Sequence, residues 1–181
     1  MSAFGRDGLH RGARHLPSPN SDSRPAGVRA TLLVVHSISL PPGEFGGDAI
    51  ERLFTNRLDP QAHPAFAGLR SLRVSAHFLV RRDGELVQFV PIHLRAWHAG
   101  VSRWRSRERC NDFSVGVELE GTPESAFADA QYEPLARLVR ALRSALPLRE
   151  IAAHSDVAPA RKIDPGAHFD WLRLFSALSA R

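Results

Sequence analysis

The sequence predicts an α/β fold, a single domain with a central mixed β-sheet flanked by α-helices, and three observations predict it. Residues 31–39 (Thr-Leu-Leu-Val-Val-His-Ser-Ile-Ser) form an unbroken apolar, β-branched run, the pattern of a central strand buried on both faces. Two further strand-like runs, 74–80 and 85–90, flank Arg82-Asp83-Gly84, and Asp-Gly between such runs is a strong hairpin signal. Beyond Leu135 the apolar residues Leu138, Val139, Leu142 and Leu146 recur at helical spacing. Strands and helices alternate along the chain, so helices pack on a sheet, and the hairpin makes that sheet mixed rather than purely parallel.

The remaining elements follow in order. Residues 1–29 are rich in Gly, Arg, Pro and Ser and read as an irregular leader, with the folded domain spanning 30–181. Pro41-Pro42-Gly43 ends the first strand. Asp48 followed by Glu51 resembles a capping box, and Ile50, Leu53 and Phe54 give a short helical stripe. Residues 59–64 are loop, and 95–111 are a long, Arg-rich, irregular segment containing Trp97 and Trp104. Residues 113–119 form another strand. Pro134 is expected in the first turn of the helix that follows. A short strand leads to His154, and a last helix covers about 169–178.

Composition narrows the function classes. At 181 residues, 43% apolar and 24% charged, the chain is an ordinary globular domain large enough for a proper core. Cys110 is the single cysteine, which leaves no disulfide framework and no cysteine-based zinc site. No stretch approaches the ~20 apolar residues of a membrane span, and 1–29 lack the apolar core of a secretory signal. The expectation is therefore a cytoplasmic protein with no membrane contact, and a monomer. The net charge of +5 does not point to nucleic acid, because the basic residues are scattered without a long run or an aromatic-interleaved motif.

Within that basic set one residue stands apart. Of 24 Lys and Arg side chains only Lys162 is lysine. An ammonium is a compact point charge that fits where a planar guanidinium cannot. It lies between His154 and Asp164, in a segment reading Ala-His-Ser-Asp and then Arg-Lys-Ile-Asp-Pro-Gly. On strand 113–119, Ser114, Gly116, Glu118 and Glu120 share one face. Gly116 opens space beside Glu118, as a cavity under a reactive carboxylate requires. His36 sits near the C-terminal end of the first strand, where open α/β sheets place ligands. Two imidazoles and a carboxylate with an open fourth position are a known catalytic zinc set; His77, His98, His168 and Asp170 are rival ligands on composition alone.

The motifs Leu33-Val34-Val35-His36, Ser39-Leu40-Pro41-Pro42-Gly43-Glu44-Phe45-Gly46-Gly47, Val74-Ser75-Ala76-His77 and Ala96-Trp97-His98-Ala99-Gly100 occur in that order. They are followed by 107–114, by Gly116-Val117-Glu118-Leu119-Glu120-Gly121, and by Arg161-Lys162 with Asp164-Pro165-Gly166. Together they resemble the AmpD-type amidases, the 1,6-anhydro-N-acetylmuramyl-L-alanine amidases of bacterial cell-wall recycling, over about 17–175. The resemblance implies the type 2 amidase, peptidoglycan-recognition-like fold and one zinc ion held by His36, His154 and Asp164. It implies catalytic roles for Glu118 and Lys162, and hydrolysis of the amide between the lactyl group of anhydro-muramic acid and L-alanine in an anhydro-muropeptide. Arg73 and Arg109 would hold peptide carboxylates, with Trp97 lining the groove.

Ser37 stands where such amidases commonly carry Asn, a residue able to touch the stem peptide; Ser155 and Ile163 also replace commoner neighbours. The alternatives are a non-catalytic muropeptide-binding module, which loss of a zinc ligand would signal, and a metal peptidase acting on the stem peptide. The intact ligand set, the Trp97-His98 loop and the Lys162–Asp164 pair favour the amidase.

Overall fold

The computed structural model describes residues 2–180. Ten strands are present: β1 (Arg14–His15), β2 (Ser21–Ser23), β3 (Leu32–Ile38), β4 (Phe78–Val80), β5 (Leu86–Gln88), β6 (Leu94–Ala96), β7 (Arg103–Trp104), β8 (Arg107–Glu108), β9 (Ser114–Glu120) and β10 (Glu150–Ala153). The helices are α1 (Ala49–Phe54), α2 (Asp129–Ala145), α3 (His154–Val157) and α4 (Trp171–Ser179), with 3-10 turns at Pro64–Leu69 and Cys110–Phe113.

The main sheet runs β1-β5-β4-β9-β3-β10. The consecutive strands β4, β9, β3 and β10 are parallel, while β5 is antiparallel to β4 across the Asp83-Gly84 turn. The sheet is therefore mixed, as the hairpin signal predicts. Alternation in β3 sends Leu33 and Val35 to one face, where they meet Val115, Val117 and Leu119 of β9 under α2 and α4. Leu32, Val34 and His36 face the other side. Both faces are covered, which explains why β3 reads as a continuous apolar run. Gln131 fastens α2 to the C-terminal ends of β4 and β9: its fully buried side-chain amide donates to Val80 O and Glu120 O at 3.0 and 3.1 Å and accepts from Ala128 N.

Four sequence expectations are corrected. The segment 1–29 is not an irregular leader outside the domain. Within it β1 joins the main sheet and β2 pairs with β6. Phe4 is 6% exposed and meets Phe78 edge-on, and Asn20 is buried with its amide donating to Val74 O. Small hydrophobic anchors among Gly, Arg and Pro carry too little periodicity to reveal this.

Pro134 is not in the first turn of its helix. α2 begins at Asp129, so the missing N–H falls opposite Ala130 O, and there Gly84 approaches so closely that a Cβ would lie 2.6 Å from that oxygen. Asp48 precedes α1 without a side-chain cap and pairs with Arg52 instead. Glu51 accepts from Arg14 and Arg81 rather than closing a capping box. The long segment 95–111 is not wholly irregular, since β7 and β8 form a hairpin within it.

The packing of Phe4 gives a direct check. Phe4→Ala is expected to cost about 3 kcal/mol, the low end for burying a phenyl ring at the rim of a core. Urea denaturation measures it, and a loss below ~0.5 kcal/mol would place the segment outside the cooperative unit.

Candidate metal centre

The site is built by strand register. In the β3–β9 ladder His36 lies directly opposite Glu118, and in the β10–β3 ladder Ala153 pairs with Val35, so His154 follows at the level of His36. Three neighbouring parallel strands thus deliver three functional side chains at their C-terminal ends, where an open α/β sheet gathers its chemistry. Asp164 arrives on the return loop after α3, tied back by Ser155 N donating to Asp164 O at 3.0 Å.

Three side-chain atoms converge. His36 Nδ1 and His154 Nδ1 are 2.9 Å apart. Asp164 Oδ2 lies 3.0 Å from His154 Nδ1 and 3.4 Å from His36 Nδ1. Zinc–ligand bonds of about 2.0–2.1 Å set tetrahedral ligand atoms roughly 3.3 Å from one another, so this donor set fits a single zinc ion. Among the described residues this is the group of His, Cys, Asp and Glu side chains close enough to hold a metal.

The electrostatics follow from burial. Desolvation pushes His36 down to about 4, against the pull of Asp164, so its ring is neutral and keeps a lone pair for a cation. Burial alone would raise Asp164, yet its contacts with the His154 and His36 rings outweigh it and hold the carboxyl below the usual carboxylate range. Glu118 is displaced upward, first by burial and then by the charge of Asp164, with Lys162 opposing. Its Oε1 lies 4.0 Å from His36 Nδ1, and its Oε2 is buried with no hydrogen-bond partner among the described residues. A buried carboxylate oxygen without a partner is costly and is typical of a group kept free for a proton.

These groups open into a cavity of about 460 Å³. Lys162, Trp97, Ser37 and Arg73 line it together with His36, His154, Asp164 and Glu118. The Ser37 hydroxyl there is buried without a partner among the described residues. Arg73 sits exposed at the rim with its guanidinium on Leu72 O and Arg70 O. Arg109 does not join this cavity: its largely exposed side chain pairs with Asp112 and lines a neighbouring groove with Val101 and Val157.

The rival ligands separate cleanly. His77 accepts from Gly116 N at Nδ1 and faces Leu94 O at Nε2, a purely structural set of contacts. His168 is exposed, and Asp170 caps α4 by accepting from Arg173 N. His98 stands 2.9 Å from His36 Nε2, on the side away from the converging atoms. The gap beside Gly116 is filled by the His98 ring, since a Cβ there would come within 2.4 Å of it. Gly116 therefore admits an imidazole rather than opening an empty space beside Glu118. The sequence signal was the glycine itself, but which ring it admits depends on how the 95–111 segment folds.

Residues 26–167 match the family model described as N-acetylmuramoyl-L-alanine amidase. The chain is 60% identical over 164 residues to the 1,6-anhydro-N-acetylmuramyl-L-alanine amidase AmpD of Escherichia coli K12, covering 90% of each chain. The crystal structure of a selenomethionine AmpD derivative superposes with a TM-score of 0.93 at 55% identity, over 96% of this chain and 98% of that one. E. coli AmiD, solved in complex with anhydro-N-acetylmuramic acid-L-Ala-D-γ-Glu-L-Lys, is similar at 29% identity and a TM-score of 0.61 over 86% of this chain and 60% of that one. By fold, by matched span and by identity, this chain belongs to the N-acetylmuramoyl-L-alanine amidase family.

Proposed function

We propose that this protein is a zinc-dependent amidase that hydrolyses the bond between 1,6-anhydro-N-acetylmuramic acid and L-alanine in muropeptides, in the recycling of cell wall. The observation that carries the reading is the convergence of His36, His154 and Asp164 on one point beside Glu118 and Lys162. Support for the substrate comes from the relatives, among them AmpD at 60% identity and AmiD bound to an anhydro-muropeptide. One zinc ion held by the three ligands would supply Lewis acidity toward the scissile carbonyl and toward water.

The chain's own residues account for the rest. Glu118, with a free and buried Oε2, takes the proton from the attacking water and returns it to the leaving amide nitrogen. The raised proton affinity that burial gives Glu118 suits a group that must first accept and then donate. Lys162, on the wall of the same cavity, sets a fixed positive charge against the oxyanion of the tetrahedral intermediate. Trp97 gives an apolar side to the groove, and the Ser37 hydroxyl is a hydrogen-bonding group for the substrate. Arg73 at the rim can hold a peptide carboxylate bidentately once it leaves its backbone acceptors. Arg109, outside the cavity, meets a peptide only where the stem extends over the neighbouring groove. No helix of the described residues is long and apolar enough to cross a membrane; a cytoplasmic monomer, acting on a small anionic muropeptide rather than on nucleic acid, completes the proposal.

Glu118→Ala should retain zinc at one equivalent per chain while kcat falls by about 10²–10⁴, the usual loss of a general base. Metal analysis alongside turnover of purified anhydro-muropeptide tests this, and parental turnover would remove Glu118 from the chemistry. Lys162→Arg should lose about 10²-fold in kcat or more, because the guanidinium fork cannot take up the position of an ammonium; near-normal kinetics would make the lone lysine incidental. Chelation should abolish release of L-Ala peptide and zinc should restore it, read by mass spectrometry of the products. A chelator-resistant enzyme would exclude the proposed metal.

A further inference from the structure

His98 is not among the ligands, yet its geometry ties it to one. His98 Nδ1 lies 2.9 Å from His36 Nε2, and the two rings meet edge to face at 88°. On its far side His98 Nε2 is 3.1 Å from Ser114 Oγ. Ser114 Oγ in turn lies 2.6 Å from Cys110 O. These contacts fix every proton in the chain. A carbonyl cannot donate, so Ser114 gives its only hydroxyl proton to Cys110 O. Ser114 Oγ is then an acceptor, and His98 must donate from Nε2. A neutral His98 has one N–H, so its Nδ1 carries a lone pair, and His36 donates to it from Nε2. That leaves the lone pair of His36 on Nδ1, the atom that faces His154 and Asp164.

We infer that His98 is a positioning residue that fixes the tautomer and ring orientation of His36 as a metal ligand, through the relay Cys110 carbonyl, Ser114 hydroxyl, His98 imidazole. The inference rests on the zinc reading of the site. Three further observations support it. Gly116 has no side chain where one would strike the His98 ring at 2.4–2.7 Å, so the strand yields space to this imidazole. Asn111 Oδ1 accepts from the backbone N–H of both His98 and Ala99, at 3.2 and 2.8 Å, which locks the backbone that carries the ring. The second imidazole has no such support: His154 Nε2 is buried without a partner among the described residues. Orientation of the nitrogen ligands is thus invested in His36. Ligating histidines depend on a partner at the distal nitrogen, and loss of that partner weakens metal binding by about 10–100-fold.

The test is zinc affinity of the purified holoprotein, read by competition with a chromogenic chelator, with circular dichroism and thermal unfolding as controls on folding. His98→Ala should bind zinc about 10–100-fold more weakly than the parent. His98→Asn places a carbonyl oxygen near the former Nδ1 and should recover most of the loss, although it cannot reach Ser114. Ser114→Ala should weaken zinc in the same direction by less, because His98 is then free to change tautomer. Equal affinity of His98→Ala and the parent would overturn the inference, and so would a His98→Asn variant as weak as His98→Ala, since that pattern reports lost packing rather than a lost acceptor. If His98→Ala does not fold, His98→Asn and Ser114→Ala decide it: retention by the first with a loss in the second supports the relay, and the reverse overturns it. A parent protein that takes up no zinc would instead defeat the zinc reading itself, so the two failures are distinguishable.

Discussion

Parallel register between β9, β3 and β10 is the constraint on which the site depends. His36 and His154 are 118 positions apart in the chain, yet their ring nitrogens stand 2.9 Å from each other because their strands are neighbours and end at one level. No local motif could set that distance. It is set by apolar contacts on the opposite face, where Leu33, Val35, Val115, Val117 and Leu119 are sealed beneath α2 and α4. A slip of one residue in either ladder would turn His36 or Glu118 into that apolar layer, so the packing that stabilises the sheet also enforces the geometry of the centre. Bringing two imidazoles and a carboxylate into one buried corner is unfavourable for the protein alone, and the hydrogen bond between His154 and Asp164 offsets only part of that cost. A divalent cation held by the three groups would offset the remainder.

Adjacent basic residues on the loop after α3 show why a single lysine could be read from the sequence at all. Arg161 uses its fork as a clamp, donating from one Nη2 to Ala99 O at 2.7 Å and to Val101 O at 2.9 Å, and so fastens the loop that follows His98. Elsewhere the arginines do comparable work. Arg24 gives hydrogen bonds to the carbonyls of Asn111, Asp112 and Ser114, and Arg81 bridges Glu51 and Gly47 O. Each task needs several donors in a plane. Among the described residues Lys162 has no such set of acceptors. Its charge is felt at Glu118 and His36, where one compact cation on the cavity wall suffices. A chain that uses Arg for every structural cation leaves lysine as a marker of a different requirement.

The fold was legible wherever one periodicity dominated. The run 31–39 is β3, the Asp83-Gly84 signal is the β4–β5 turn, and the Leu138–Leu142 spacing lies within α2. Alternation along 114–120 placed Glu118 and Glu120 on the face away from the α2–α4 layer. What could not be read depends on contacts between distant segments. Phe4 and Asn20 are single anchors in a stretch with no period of its own. Glu51 looked like a cap because capping is local, but Arg14 and Arg81 reach it from two other strands' ends and outcompete the helix terminus. Gly116 was visible as a gap in the pattern, whereas the ring that fills the gap comes from a segment whose path no periodicity describes.

The composition of the layer behind the ligands also bears on reactivity. The relay from His36 ends on neutral groups, a serine hydroxyl and a backbone carbonyl, where many metal-bound histidines are backed by a carboxylate. With a single anionic ligand, Asp164, a zinc ion in this set would keep a net positive charge, and a neutral relay leaves that charge intact. A carboxylate at the position of Ser114 would push electron density through His98 and His36 toward the cation and blunt its pull on a carbonyl oxygen. The nearest other acid, Glu118, has its proton affinity raised by burial, so it is suited to accept a proton, and on doing so it becomes neutral and no longer offsets the local positive field. In the proposed reaction, rigid orientation from a neutral scaffold and positive charge from Lys162 and a bound metal would act in one direction, toward stabilising negative charge on the amide oxygen as it develops.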